Sequence, residues 1–399
     1  MRRWLAVVAV ALVVWGCSSP PKTARSGFTL AFTNDRRGEL APCDCSGGAA
    51  GGLSRQAGYL RELRAKQPSL VAVEAGDFLY AVWPETDAEK TTEHARALIA
   101  AGAYARAGYD AVLFGARDYA LGVDALREIA TKIGPDAVVG ANVTDARTGR
   151  PLWPASKIVT RDGVRVGVVG LMTNKKDIVP PGRSWPADVI VEDPLAAAKR
   201  VIPELRRRCD VLILLANLDR DELEPLLKAA PGVDFVVKSR EAKIVTSQVE
   251  QLAKTPLLGL YELGHYVGRL EITVVQPGKP YGDLAEEQIL ERKIERYRAY
   301  VDAIDQKAGG ADRVEHFYAG DELTLERYRR YRDSVDRWEH ERERLKPTGN
   351  RYSYELIELD NTRPETPEVR AAVIEFERVH GAAQSAREAQ MQRHGAGTR

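Results

Sequence analysis

Five short segments, each at the end of an apolar run, carry the side chains best placed to do chemistry. They read Thr33-Asn34-Asp35-Arg36-Arg37-Gly38, Glu74-Ala75-Gly76-Asp77, Phe114-Gly115-Ala116-Arg117-Asp118-Tyr119, Leu215-Ala216-Asn217-Leu218 and Asp234-Phe235-Val236-Val237-Lys238-Ser239-Arg240-Glu241-Ala242. Carboxylates such as Asp35 and Asp77 can ligate a divalent cation or answer a positive charge, and the Asn217 amide both donates and accepts. Arg37, Arg117 and Arg240 stay protonated and have no lone pair for a metal, yet each can grip phosphate or carboxylate bidentately. A sixth segment, Cys43-Asp44-Cys45-Ser46-Gly47-Gly48, sets two sulfurs one residue apart. Such a pair closes a tight, reducible ring suited to thiol exchange or thiolate metal binding, or else it staples a glycine-rich loop. Asp44 disfavours a low thiolate pKa, whereas Arg36 and Arg37 favour one.

Several familiar chemistries are excluded. The six histidines, His94, His265, His316, His340, His380 and His394, include no His-x-x-x-His pair, and each reads as a surface or core residue rather than a ligand. Gly47-Gly48-Ala49-Ala50-Gly51-Gly52 lacks the Lys-Ser/Thr of a phosphate-cradling P-loop, no Gly-x-Ser-x-Gly elbow occurs, and no Cys-x-x-Cys-His site attaches a haem. Cys209 opens an apolar run and reads as a small buried hydrophobe. With 58 basic and 57 acidic side chains the net charge is +1, so no global field draws the chain to nucleic acid.

The elements that must position these segments alternate. Strands are predicted at 28–33, 70–74, 111–114, 138–140, 164–171, 211–215 and 235–237, with helices over 52–66, 93–107, 123–132, 194–208 and 221–229. Strand and helix in turn imply a layered α/β sheet with ligands at the strands' carboxyl ends. After Pro277 the composition turns to charge. Leu290, Ile294, Tyr297, Val301 and Ile304 then recur at heptad spacing, as do Tyr328, Tyr331, Val335, Trp338 and Leu345 beyond Gly309-Gly310. This predicts a helical hairpin arm over 285–345, either solvated or free to dock a protein partner. Residues 346–399 are expected to form a strand (352–359), a helix (367–380) and a structureless polar tail from Gln384.

The N-terminus joins Arg2-Arg3 to an uncharged stretch over 4–14 and then Val14-Trp15-Gly16-Cys17, the layout of a secretory signal. Its end resembles a bacterial lipoprotein box. The resemblance implies a signal peptide over 1–16, lipidation at Cys17, a tether over 17–27 and anchoring in the membrane, with the outer membrane facing the periplasm favoured because Ser18 and Ser19 give no acidic retention signal. A plain signal peptide with a coincidental cysteine is the alternative.

The five strand-end segments together resemble, in order and spacing, the metal-binding blocks of the calcineurin-like metallophosphoesterases, in the 5′-nucleotidase and cyclic-phosphodiesterase branch. Gly51-Gly52-Leu53-Ser54-Arg55, Ala141-Asn142-Val143 and Gly264-His265-Tyr266-Val267-Gly268-Arg269-Leu270 support the match. The resemblance covers residues 28–275 and implies a layered α-β-β-α sandwich, here followed by the helical hairpin. It also implies two divalent ions about 3.5–4 Å apart that activate a bridging water. Asp35 and Asp77 occupy family ligand positions, but Arg37, Arg117, Asn217, Arg240 and Ala242 stand where the family has histidines, and Ala116 replaces an asparagine. The resemblance therefore implies a dinuclear site largely lost, with Asp35, Asp77 and Asn217 as its residue. No catalytic residue or cofactor is assigned.

Two fates are open for the three arginines. They pair with Asp35, Asp77, Asp118 and Glu241 in a satisfied network, or they bind a phosphate-like anion. The expected function is a tethered anion-binding or partner-binding protein. The alternatives are a metal-dependent phosphoesterase keeping a reduced site around a divalent ion, and a thiol redox protein using Cys43 and Cys45.

Overall fold

The computed structural model describes residues 26–43, 49–240, 249–261, 263–345 and 349–395. The expected signal peptide over 1–16 and the lipidation candidate Cys17, with Cys45, Glu241 and Ala242, lie outside them.

Two six-stranded sheets stack face to face. The first runs, edge to edge, Gly282–Asp283, Arg351–Glu358, Tyr266–Val274, Ser26–Thr33, Leu70–Glu74 and Ala111–Val112; the second runs Glu250–Leu252, Thr255–Leu258, Phe235–Ser239, Val211–Asn217, Val164–Met172 and Ser156–Arg161. The Val211–Asn217 strand explains the stacking from its own residues. Val211, Ile213 and Leu215 enter the core between the sheets, while Leu212, Leu214 and Ala216 enter the core beneath the outer helices. A strand with apolar residues at every position must be covered on both faces, because successive side chains point opposite ways.

Helices supply that cover. The first sheet is faced by α1 (Leu53–Lys66), α2 (Asp87–Ala107) and α3 (Gly122–Ile133), and the second by α4 (Pro194–Arg206) and α5 (Arg220–Ala229). The result is the α-β-β-α sandwich that the family resemblance implies.

Beyond the sandwich, α6 (Leu284–Ala308), the short α7 (Val314–Phe317) and α8 (Glu322–Leu345) form the hairpin. Leu290, Ile294 and Val335 with Tyr297 and Trp338 pack one half of its seam, and Ala308, Leu325 and Tyr328 with Val301 and Ile304 the other. Gly309, left-handed at φ 82°, caps α6 and turns the chain. The hairpin is inserted into the sheet rather than appended to it: Arg351–Glu358 returns to pair antiparallel with Tyr266–Val274. The chain ends on α9 (Pro367–Gly395), whose Val369, Val373 and Phe376 join the core beneath α1 and α2. No helix among the described residues is long and apolar enough to cross a membrane.

Three elements differ from the sequence reading. Residues 138–140 make only an isolated Val112–Val138 bridge, and Val139 serves the inter-sheet core, since a short apolar run reports burial without specifying pairing. Helix α2 begins at Asp87, before the first apolar residue, because Thr86 and Glu89 form a reciprocal capping box. The tail from Gln384 is helical through Gly395; its Ala, Arg, Glu, Gln and Met residues are strong helix formers, and propensity outweighs polarity there.

The parallel strands of both sheets point their carboxyl ends to one edge. Thr33 pairs with Glu74 in the first sheet, and Asn217 with Met172 and Ser239 in the second, so the segments after these residues meet across the gap.

Gly58 of α1 tests the docking of the C-terminal segment. A Cβ there would lie 2.1 Å from the Pro364 carbonyl oxygen, beside the bonds joining Ser54 to Thr366. Gly→Ala inside a helix normally stabilises, but here overpacking is expected to lower unfolding stability by about 1–3 kcal/mol in urea titration. A more stable variant would show that this face of α1 is open.

Candidate functional site

The site begins with backbone strain. Asp35, Arg37, Asp77 and Arg240 have φ of 48°, 52°, 61° and 65°, four of the eight non-glycine positive values among the described residues. Each such conformation costs on the order of 1 kcal/mol, so their concentration at one edge requires strong local bonding.

Asp118 provides it. Its fully buried carboxylate accepts the backbone N–H groups of Gly115 (2.8 Å), Asp77 (2.9 Å), Phe78 (3.0 Å) and Leu79 (2.9 Å), tying two strand-end turns together. Burial and the Asp77 charge push the Asp118 pKa up, and the N–H donors work against them. In one of the two fates open to the arginines Asp118 answers a guanidinium; it answers the main chain instead. Gly115 is needed beside it, because a Cβ would fall 2.3 Å from Asp77 Oδ1.

Asp77 is held on both oxygens. Arg117 N–H donates to Oδ1 at 2.9 Å and Asn217 Nδ2 to Oδ2 at 3.0 Å. The same Asn217 nitrogen meets Ser239 Oγ at 2.7 Å, while its oxygen accepts from Ala116 N–H at 2.8 Å. Ser239 Oγ donates to the Ala75 carbonyl. The amide cannot be reversed without setting its donors against the Ala116 N–H, so its oxygen is turned away from Asp77.

Asp35 is fully buried. Its Oδ2 accepts from Asn34 Nδ2 (3.0 Å) and Arg240 N–H (2.8 Å), and its Oδ1 has no partner among the described residues. Burial, then the charge of Asp77, raises its pKa to about 7, against weaker opposition from Asn34 and Arg37.

Arg37, Arg117 and Arg240 line one cleft of about 290 Å³, together with Asp77, Asp177, Ile178 and Asp219. The partners of Arg240 are not those anticipated. Its Nε donates to Asp219, and its Nη2 to both oxygens of Asp177 at 2.6 and 2.5 Å. Burial works to lower the Arg240 pKa, but the two carboxylates hold it above its ordinary value. Burial likewise works to raise Asp219, and the bonds from Arg240 and Lys175 outweigh it and keep that carboxyl below its usual range.

Asp177 and Asp219 were not singled out from the sequence. Asp219-x-x-Glu222 is nevertheless a legible helix start at a strand's carboxyl end, with Glu222 bonded back to the Asp219 N–H. Asp219, Asp221 and Glu222 form a carboxylate cluster, but Lys175 Nζ sits on it, 2.9 Å from Asp219 and Asp221. An ammonium takes the cation's place.

No histidine lines the cleft among the described residues. His265 lies against Gly51 and near Arg36, and burial followed by Arg36 lowers its pKa. His94 bonds Glu128 at the surface. Cys43 is disulfide-bonded and pairs with Ala50 in a two-residue ladder; this base of the glycine loop is not among the cleft-lining residues. Arg36, expected near the sulfurs, is buried with its guanidinium on Gln56 and the Glu39 carbonyl. Cys209 is free and buried, as its run implies.

Two stacked sheets between helical layers, with strand-end loops meeting at one cleft, are a metallophosphoesterase-type fold, and the chain is similar to proteins of the calcineurin-like metallophosphoesterase superfamily. Within it, similarity runs to 5′-nucleotidases. The chain is 26% identical over 275 residues to a probable 5′-nucleotidase of Treponema pallidum, covering 65% of this chain and 44% of that protein. It is 24% identical over 307 residues to the 5′-nucleotidase of Bos taurus, covering 69% of this chain and 50% of the relative. The crystal structure of a 5′-nucleotidase precursor from Thermus thermophilus superposes with a TM-score of 0.60 at 18% identity, over 90% of this chain and 59% of that one. No protein-family profile matches the chain. It spans about half the length of the curated relatives it matches.

The raised Asp35 pKa gives a signed prediction. Between the ordinary value of 3.8 and about 7 the folded state holds a proton that the unfolded state has lost, so this residue's contribution to stability falls as pH rises through that window. Asp35→Asn, which also tolerates positive φ, removes the dependence. Relative to wild type it should gain on the order of 2 kcal/mol in denaturant titrations between about pH 4 and about pH 8. An equal difference at both pH values would contradict a near-neutral carboxyl at this position.

Proposed function

We propose that the chain is a lipid-tethered, catalytically silent relative of the 5′-nucleotidases, which binds an anion or a protein partner instead of hydrolysing a phosphoester. The orientation of Asn217 carries this reading. A metal shared with Asp77 would need the amide oxygen, and the network gives that oxygen to Ala116 N–H and aims the nitrogen at Asp77.

The remaining donors do not fit a pair of divalent ions. Three guanidinium groups line the cleft with Asp77, Asp177 and Asp219, the last two taken up by Arg240, and the histidine ligands that such centres need are absent from its described lining. Arg37, Arg117 and Arg240 supply fixed positive charge in their stead. A phosphoesterase working with one ion between Asp35 and Asp77 is the second reading, and the unpartnered Asp35 Oδ1 is the observation in its favour. The thiol redox reading through Cys43 and Cys45 has the Cys43 disulfide in its favour.

Location follows from the lipoprotein box at Cys17. The signal peptide directs export, and acyl chains on Cys17 hold the chain at the outer membrane facing the periplasm. The arm extends about 37 Å along α6. Exposed Tyr300, Phe317 and Leu323 suit it to contact a protein partner.

Detergent-solubilised protein should carry well below one equivalent of Mn, Zn or Fe and release no phosphate from nucleoside monophosphates. Two tightly held equivalents, with turnover lost in Asp77→Asn, would refute the silent reading. For the anchor, Cys17→Ser should abolish incorporation of labelled palmitate and shift the chain from the membrane to the soluble fraction; a variant that stays labelled and membrane-bound rules out lipidation at this cysteine.

A further inference from the structure

We infer that Asp177 is an internal occupant of an anion site on Arg240, and that a phosphate or phosphomonoester dianion binds the cleft by displacing it. This rests on the anion-binding reading above and adds how the site is kept closed.

The two carboxylates on Arg240 are unlike. Asp219, 10% exposed, caps α5, takes the Lys175 ammonium and accepts from Nε and, at 3.3 Å, from Nη2; it is built into the fold. Asp177 is 56% exposed, lies in an irregular stretch after the Val164–Met172 strand, and reaches the guanidinium only through Nη2.

Arg240 itself is pinned. Its side chain is 10% exposed, its N–H is bound to Asp35, and its Nη1 is buried without a partner among the described residues. One donor of a buried guanidinium is thus unused beside a cleft that Arg117 also lines, and the Arg117 guanidinium makes no hydrogen bond or ion pair among the described residues. A carboxylate on a loop satisfies Nη2 alone. A phosphate dianion brings more charge and three acceptor oxygens, enough for Nη2, Nη1 and Arg117 together.

Opening requires little movement. Lys175 stays on Asp219 and Asp221, Ile178 against the core, Arg183 on Glu85, and Trp185 against Tyr119 and Trp83, so only the exposed Asp177 side chain must turn away from Arg240. An ion pair with one half-exposed partner contributes at most about 1 kcal/mol, which sets the resistance to displacement.

Calorimetric titration of the full chain with inorganic phosphate, and in parallel with a nucleoside monophosphate, tests this. Removing the competitor in Asp177→Asn should tighten phosphate binding by about fivefold. Asp221→Asn deletes the same charge from an exposed residue that does not touch Arg240, and should leave affinity unchanged. Arg240→Gln should abolish binding; should it fail to fold, Arg117→Gln should still weaken binding in a folded protein. Wild-type binding with Asp177→Asn no tighter, or with Asp221→Asn equally tightened, overturns displacement and leaves the anion-binding reading standing. No binding in any variant, Asp177→Asn included, overturns both. Tighter binding of the monophosphate than of free phosphate supports a phosphomonoester as occupant, and equal affinity supports phosphate itself.

Discussion

Four main-chain N–H groups from two strand-end turns converge on one carboxylate, that of Asp118, and the cleft has its shape because they do. A buried acceptor of this kind fixes the path of the Asp77 loop against the Ala116–Tyr119 turn. It also offsets the positive φ at Asp77. From that fixed pair the rest follows: Asp77 presents its oxygens to Asn217 and to the Arg117 N–H, and Asn217 in turn links the second sheet to the first.

The electrostatics of the edge are those of covalently attached charge. Asp35 and Asp77 sit close enough, and deep enough, that both cannot ionise without cost, and Asp35 answers with a near-neutral pKa. Arg240 relieves none of this with its guanidinium, which turns outward to Asp219 and Asp177; it offers Asp35 only its main-chain N–H. Under the proposed reading, this division separates a structural inner network of carboxylates and amides from an outer rim of arginines that can meet solvent and ligand.

The arm adds a second level of organisation. Because Arg351–Glu358 returns to the first sheet after α8, both ends of the hairpin are held by strand pairing, with Arg351 on Glu287 at its base. Beyond that base, the seams at Leu290, Ile294 and Val335 and at Leu325 and Tyr328 pair the two charged helices with each other.

The order of strands and helices, a layered α/β arrangement and the hairpin were determined by local pattern: runs apolar on both faces, period 3.6 in the helices, heptad spacing in the arm; the stacking of two sheets was implied only by the family resemblance. So was the set of candidate residues, since strand ends in a parallel sheet are where loops can carry ligands. What the arginines contact was decided only in three dimensions. Arg240 meets Asp219, 21 residues away, and Asp177, 63 residues away, because adjacent parallel strands bring their carboxyl ends together. Asp118 could be read as a charge but not as the acceptor of four N–H groups, for that role depends on the turn of another strand. Asn217 could be read as an amide in a histidine's place; which of its two ends faces Asp77 is set by the Ala116 N–H, a main-chain group whose direction no side-chain pattern encodes.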